Sequence, residues 1–357
     1  MRNILLGAVG TLVLLALLTL TCLHFGIVPV NADAAPSSLE RWAARTAPMT
    51  PGETVLELSA RPDGSAANLS ITPDPTPKQT FTAGILQVER YGNPSGPQLI
   101  FIPALFCGAW EWNAQIAALA PRYDLFVVTL PGLAGRPMVG GHDLMRRAVD
   151  SLHQLVLTHH LRPIVVGHSL GGTLGVLYAQ TYPHDLRALI SVEGGYPIAP
   201  TLEQREQRVD EAIKPFEGIS RRALAPVLRK FQLQYLITSP ATVDAVLQRA
   251  ARSDPQAIVA WMRAALLLDL TPGLSKITVP FLEIVPYDRG IDGYRGYATE
   301  GAKRAAYTAW IARAPHGRVV MIASSRHFVM YDQPTVFERT LEQAVLGSLT
   351  RSTRLVQ

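Results

Sequence analysis

The chain has 357 residues, 48% of them hydrophobic and 17% charged, which is ample apolar material for a large core and excludes a disordered or low-complexity protein. The formal net charge is +5, yet Lys and Arg are scattered, with no run denser than pairs such as Arg146-Arg147 and Arg221-Arg222. A nucleic-acid binder would gather such charge into a stripe, so no nucleic-acid partner is expected, and the length suits one large layered domain with additions.

After Arg2, residues 4–30 hold no formally charged side chain, and Leu, Val and Ala dominate the first two thirds. The run exceeds the core of a cleaved signal and reaches the ~20 residues that span a bilayer. Ala32-Asp33-Ala34, however, has the small-x-small form that a signal peptidase reads. Residues 1–34 are therefore expected to be a signal peptide or an N-terminal membrane anchor. The protein would be exported, either periplasmic or extracellular, or anchored in the membrane by residues 4–30. Residues 35–80 contain seven prolines among Ser, Thr and Gly and read as a spacer. Cys22 and Cys107 are the two cysteines, so removal of the leader would leave no internal disulfide, and Cys107 reads as a small buried hydrophobe.

From residue 84 onward, short apolar runs alternate with amphipathic stretches. The runs Gln98 to Pro103, Leu125 to Leu130, Pro163 to Gly167, Ala188 to Val192, Phe281 to Val285 and Arg318 to Ala323 read as buried parallel strands. Glu111 to Ala120, Asp143 to His159 and Gly171 to Tyr182 carry apolar residues three and four apart and read as crossover helices. This alternation predicts an α/β protein with a doubly wound, mostly parallel sheet whose ligands bind at the carboxyl ends of the strands. Between Val192 and Phe281 the rhythm breaks. The pattern there predicts a helical cap at about residues 198–275, inserted between the sixth and seventh core strands, with helices at Leu202 to Ile213, Ala223 to Leu236, Ala241 to Ala251 and Pro255 to Leu268.

Gly167-His168-Ser169-Leu170-Gly171-Gly172 lies between a predicted strand and a predicted helix. A sharp turn there would project the hydroxyl of Ser169 from the sheet edge, with glycines where side chains would collide with backbone. The N–H of Leu170 becomes one oxyanion donor, and the N–H of Leu105, in the loop after the first predicted strand, a second. Serine needs a base, and His327 follows the last predicted strand on the same edge. His168 belongs to the turn and should point away from the serine. For the carboxylate that orients the imidazole, Asp288 after the strand Phe281 to Val285 is preferred, with Asp292 as a weaker substitute. Glu193 after the strand Ala188 to Val192 is the alternative. Trp110 and Trp112 are candidates to line an acyl pocket, at least one of them being better explained by core packing.

The motifs GHSLGG at 167–172, VTLPG at 128–132, the strand Val279 to Val285 with Asp288 behind it, and RHFVMYDQP at 326–334 together resemble the α/β-hydrolase fold superfamily over residues 81 to 350. The likeness is to capped, esterase and lipase-like serine hydrolases. The resemblance implies a hydrolase domain over residues 81–357 with nucleophile, acid and histidine in family order. The position of Glu193 resembles that of the acid in haloalkane dehalogenases, but those use an aspartate nucleophile, so Ser169 points to acyl transfer instead. The expected function is hydrolysis of carboxylic or thio-esters through an acyl-enzyme on Ser169. The same triad would serve an acyltransferase or an amidase, and a non-catalytic, membrane-tethered binding protein could share the fold. The expected partner is a small hydrophobic acyl ester, with no metal or other cofactor, and membrane association would run through the N-terminal segment.

Overall fold

In a computed structural model that describes residues 74–354, eight strands form one sheet in the order β1-β2-β4-β3-β5-β6-β7-β8. They are β1 (Gln79–Ala83), β2 (Leu86–Gly92), β3 (Gln98–Ile102), β4 (Asp124–Thr129), β5 (Ile164–His168), β6 (Ala188–Val192), β7 (Phe281–Tyr287) and β8 (Gly317–Ala323). β2 pairs antiparallel with β1 and β4, and every pairing from β4 across to β8 is parallel. Strands β4, β5 and β6 are buried at every position, which is why they read as unbroken apolar runs. The chain winds from β3 outward to β4 on one side and from β5 to β8 on the other. That reversal opens a crevice at the carboxyl ends of β3 and β5, where ligands bind in such sheets.

The hairpin β1–β2 lies outside the strands expected from sequence. β1 begins at Gln79, two residues inside the expected spacer 35–80, and its first strand residues are exposed. β2 buries Leu86, Val88 and Tyr91, a pattern without regular alternation. The expected leader 1–34 lies outside the described residues, and among those described no helix is long and apolar enough to cross a membrane.

Helices α1 (Asn113–Leu119), α2 (Leu144–Thr158) and α3 (Leu170–Thr181) are the crossovers. α2 buries Leu144, Ala148, Leu152, Leu155 and Val156 at helical spacing and starts where the Asp143 carboxylate accepts the N–H of Arg146. Four helical segments fill the interval between β6 and β7. α4 (Leu202–Ile213) opens on a capping box made by Thr201 and Gln204. The stretch expected as one helix from Ala223 to Leu236 is helical throughout, with a change of hydrogen-bond pattern within it. Leu224–Leu228 and Gln234–Leu236 are separated by a π turn at Arg229–Leu233. α5 (Pro240–Ala250) and α6 (Pro255–Leu266) follow, each with a capping side chain, Ser239 or Asp254, and Pro at the first position. The insertion is fastened to three loops that follow β3, β4 and β8. Ser253 Oγ donates to the Phe106 carbonyl at 3.1 Å, Trp261 Nε1 donates to the Pro131 carbonyl at 2.9 Å, and Phe328 N–H donates to the Leu236 carbonyl at 3.1 Å. Two helices after β7, α7 (Arg289–Tyr294) and α8 (Glu300–Ile311), lie beyond the sequence expectation, and α9 (Pro334–Arg354) closes the described chain.

Candidate active site

Ser169 occupies the single residue between β5 and α3, with φ 54° and ψ −113°. For a residue with a Cβ this backbone costs about 1–3 kcal/mol and persists only where the surroundings impose it. They do so here through the end of β6 and the first turn of α3. The Ser169 N–H donates to the Val192 carbonyl at the end of β6 (2.9 Å), and the N–H and hydroxyl of Thr173 both donate to the Ser169 carbonyl. The flanking glycines are required by contact. A Cβ at position 167 would lie 2.2 Å from the Gly171 carbonyl oxygen, and one at 171 would lie 2.1 Å from that of Ile102.

Leu170 is the first residue of α3, so its N–H has no acceptor within the helix and lies at the positive end of the helix dipole. After β3 the loop passes through Ala104 and Leu105 to Phe106, whose φ is 71°. The Ala104 N–H is committed to Glu111 Oε2 at 2.7 Å, which leaves the next N–H, that of Leu105, outside this bond.

His327 stands in the loop between β8 and α9, where its Nδ1 hydrogen-bonds Glu193 Oε2 at 2.6 Å. Glu193 follows β6 directly, with φ 44°, and its N–H donates to the Ile284 carbonyl on β7. The preferred carboxylate, Asp288, is used elsewhere. It caps α7 by accepting the Ile291 N–H at 2.9 Å and faces Arg326 Nε at 3.6 Å. The reason is local: β7 runs through Tyr287 and α7 starts at Arg289, so no loop remains to carry Asp288 toward the imidazole. The weaker substitute, Asp292, is buried, with one oxygen accepting the Asp288 N–H and the other the Lys303 ammonium. The sequence preference for Asp288 is thus corrected in favour of Glu193 as the partner of His327.

Burial lowers the pKa of His327 to about 4 against the pull of Glu193 in the opposite direction, so the imidazole is neutral at pH 7. For Glu193, burial acts to raise the pKa, but Lys303, the His327 hydrogen bond and Arg295 together hold the carboxyl well below the usual carboxylate range. The result is an ionised acid beside a neutral base.

Sequence reading missed a second polar group beneath the site. His168 has no exposed surface; its Nδ1 is hydrogen-bonded to Glu111 Oε1, and its Nε2 lies 2.9 Å from the His327 carbonyl oxygen. Glu111 therefore holds the Ala104 N–H with one oxygen and His168 with the other, joining the loop after β3 to the loop after β8. The signal was a lone carboxylate in the apolar stretch Ala109–Trp112. Trp112 packs against Phe101 and Phe337 with no exposed surface and does not line a pocket, whereas Trp110 is half-buried beside Arg249. Trp261 and Met262 are likewise packed inward. Cys107 is a free, fully buried thiol whose pKa is pushed up by burial. Among the described residues no group of three or more His, Cys, Asp or Glu side chains could hold a metal ion.

Known proteins resemble this chain in sequence and in fold. The sequence profile of the alpha/beta hydrolase family matches residues 99–340. A pimeloyl-[acyl-carrier protein] methyl ester esterase of Aeromonas hydrophila is 24% identical over 271 residues, covering 73% of this chain and 99% of the relative. A 2-succinyl-6-hydroxy-2,4-cyclohexadiene-1-carboxylate synthase of Enterobacter sp. is 27% identical over 219 residues, covering 59% of this chain and 82% of the relative. Among solved structures, a thermophilic esterase from Thermogutta terrifontis superimposes with a TM-score of 0.61 at 19% identity, covering 76% of this chain and 99% of its own.

Proposed function

Because the chain belongs to the alpha/beta hydrolase family, we propose that it is a serine hydrolase that cleaves carboxylic or thio-esters through an acyl-enzyme on Ser169. The observation that carries this reading is the Nδ1 of neutral His327 bonded at 2.6 Å to ionised Glu193, in a loop whose backbone is tied through His168 to the strand that ends at the strained Ser169. His327 Nε2 takes the proton of the Ser169 hydroxyl as its oxygen attacks the substrate carbonyl. Glu193 stabilises the imidazolium that forms, and the N–H groups of Leu170 and Leu105 receive the oxyanion. Collapse of the tetrahedral intermediate expels the alcohol or thiol, which leaves with the proton from His327. Water then attacks the acyl-enzyme with His327 again as base, releasing the acid and restoring the hydroxyl. The helices between β6 and β7 supply the cap, and the substrate class follows the expectation from sequence, an ester with a hydrophobic acyl group.

The test pairs two measurements on purified protein, fluorophosphonate labelling and turnover of short p-nitrophenyl esters. Labelling and turnover in the wild type, both abolished by Ser169→Ala, are expected. Labelling that survives Ser169→Ala overturns the assignment, and a wild type with neither burst nor steady-state turnover, yet still binding a ligand, would favour a binding protein of the same fold.

A further inference from the structure

Behind Glu193 lies a buried cation that ester hydrolysis by Ser169, His327 and Glu193 does not itself require. Lys303 stands on α8, its side chain only 2% exposed. Its ammonium donates to Glu193 Oε1 at 2.7 Å, to Asp292 Oδ1 at 2.9 Å and to the Pro286 carbonyl at 2.8 Å, so all three of its protons are placed. Removing an ammonium from water costs several kcal/mol even after relaxation. The neighbours on its helix face, Tyr307 and Trp310, are buried aromatics, so packing alone would be served by an apolar residue. We propose that Lys303 is a positioning residue of the hydrolytic site: it grips the oxygen of Glu193 that His327 does not use, fixing the carboxylate from both sides and setting the pH at which the Glu193–His327 pair takes up its proton.

The charge count around the pair makes this specific. From α7 come Asp292 and, just past its end, Arg295, whose guanidinium lies 3.8 Å from Glu193 and 4.0 Å from Asp292. From β7 comes Glu283, whose carboxyl burial pushes well above the usual carboxylate range and which makes no bond to Lys303. From the His327 loop, Arg326 faces Asp288, and His168 packs against the imidazole. Tyr307 on α8 and Tyr297 after α7 are both held in the phenol form by burial first of all. Two carboxylates, Glu193 and Asp292, thus face two cations, Lys303 and Arg295, and only Lys303 is buried with them. Without it, a proton on the pair becomes the nearest replacement for the missing positive charge. The pair then holds that proton to higher pH, whichever of its two members carries it.

The proposal rests on the serine-hydrolase reading, and its test separates the two. Lys303→Met and the charge-balanced Lys303→Met/Asp292→Asn would be compared with wild type and Lys303→Arg in kcat/KM against pH with a p-nitrophenyl ester, and by direct NMR titration of the His327 ring nitrogens. The acid limb and the ring titration are expected to move upward by about one unit in Lys303→Met, as for loss of a charge within reach of a titrating pair, and upward by less in the charge-balanced variant, where the lost Asp292 carboxylate offsets part of the effect. Lys303→Arg should keep the limb near wild type. A folded Met variant whose limb is unmoved or moves downward, while still labelling at Ser169, overturns the role of Lys303 alone. Failure of both Met variants to fold would reduce Lys303 to a folding requirement and overturn it too. Labelling that survives Ser169→Ala defeats the serine reading and this proposal with it.

Discussion

At the carboxyl end of β6 the chain turns through a positive φ at Glu193, and this one residue decides which acid meets His327. Asp288 offers the same functional group after β7, but its oxygens already serve the start of α7 and Arg326. Glu193→Gln removes the charge that stabilises an imidazolium, and we expect kcat/KM for short p-nitrophenyl esters to fall by about 10³ to 10⁴-fold, as when a triad acid becomes its amide. Asp288→Asn keeps an acceptor at the helix cap and should change the rate less than about tenfold. Equal losses, or the reverse order, would return the role to Asp288. The same pair sets the pH profile. In the proposed mechanism His327 must be neutral to accept the serine proton, and its pKa lies below the ordinary histidine value, at about 4. The group is therefore protonated and inactive below that point, and kcat/KM should rise with pH through about 4 and level off before neutrality. The sign for stability follows from the same shift. The unfolded chain binds this proton more readily than the folded one, so the contribution of His327 to stability declines as pH falls from its ordinary value toward 4. A kinetic limb near the ordinary histidine value would show that burial does not govern the base.

The strand, turn and helix around Ser169 were legible because each local requirement leaves a mark. An apolar run gives β5, glycines stand at the two contacts that exclude a Cβ, and a helical pattern follows at once. The acid was not legible, because Asp288 and Glu193 both follow apolar strands. What separates them is the six-residue helix that starts immediately after Asp288 and takes its carboxylate as a cap, an element the residues Arg289–Tyr294 do not announce by any apolar periodicity. Helix α8 escaped notice with Lys303 in it, since lysine on a helix ordinarily marks a solvated face. The π turn at Arg229–Leu233 has no comparable mark within an apolar helical stretch. Glu111 was hidden in the same way, and its element-level role can be tested. One of its oxygens accepts the Ala104 N–H and the other is hydrogen-bonded to His168, both buried, and an alanine would leave both of them without a partner. Glu111→Ala should therefore destabilise the fold by about 2–4 kcal/mol in urea unfolding, the range for leaving buried polar partners unpaired. It should also slow fluorophosphonate labelling, because the loops after β3 and β8 lose their common anchor. Unchanged labelling in a folded variant would show that the two loops hold their places without it.

Across the molecule, the helices between β6 and β7 share one continuous apolar core with the sheet: Phe216, Leu224, Leu228, Val246, Ile258 and Trp261 of the insertion belong to the same buried cluster as β3, β4 and β5. An insertion joined in this way should not unfold on its own. In urea, the far-UV circular dichroism of the whole chain and the tryptophan fluorescence, to which buried Trp112 in the main domain and Trp261 in the insertion both contribute, should report coincident transitions with one midpoint. The seam can be weakened at a chosen point. Trp261 Nε1 donates to the Pro131 carbonyl at 2.9 Å in the loop after β4, and Trp261→Phe keeps an aromatic ring while leaving that carbonyl without its donor. We expect a loss of about 1–3 kcal/mol, with the two probes still moving together. Two separated transitions in this variant, with the wild type remaining single, would mean that this hydrogen bond rather than the shared core couples the insertion to the sheet. Separated transitions in the wild type itself would mean that the insertion is an independent folding unit, in spite of the buried surface it shares with β3 to β5.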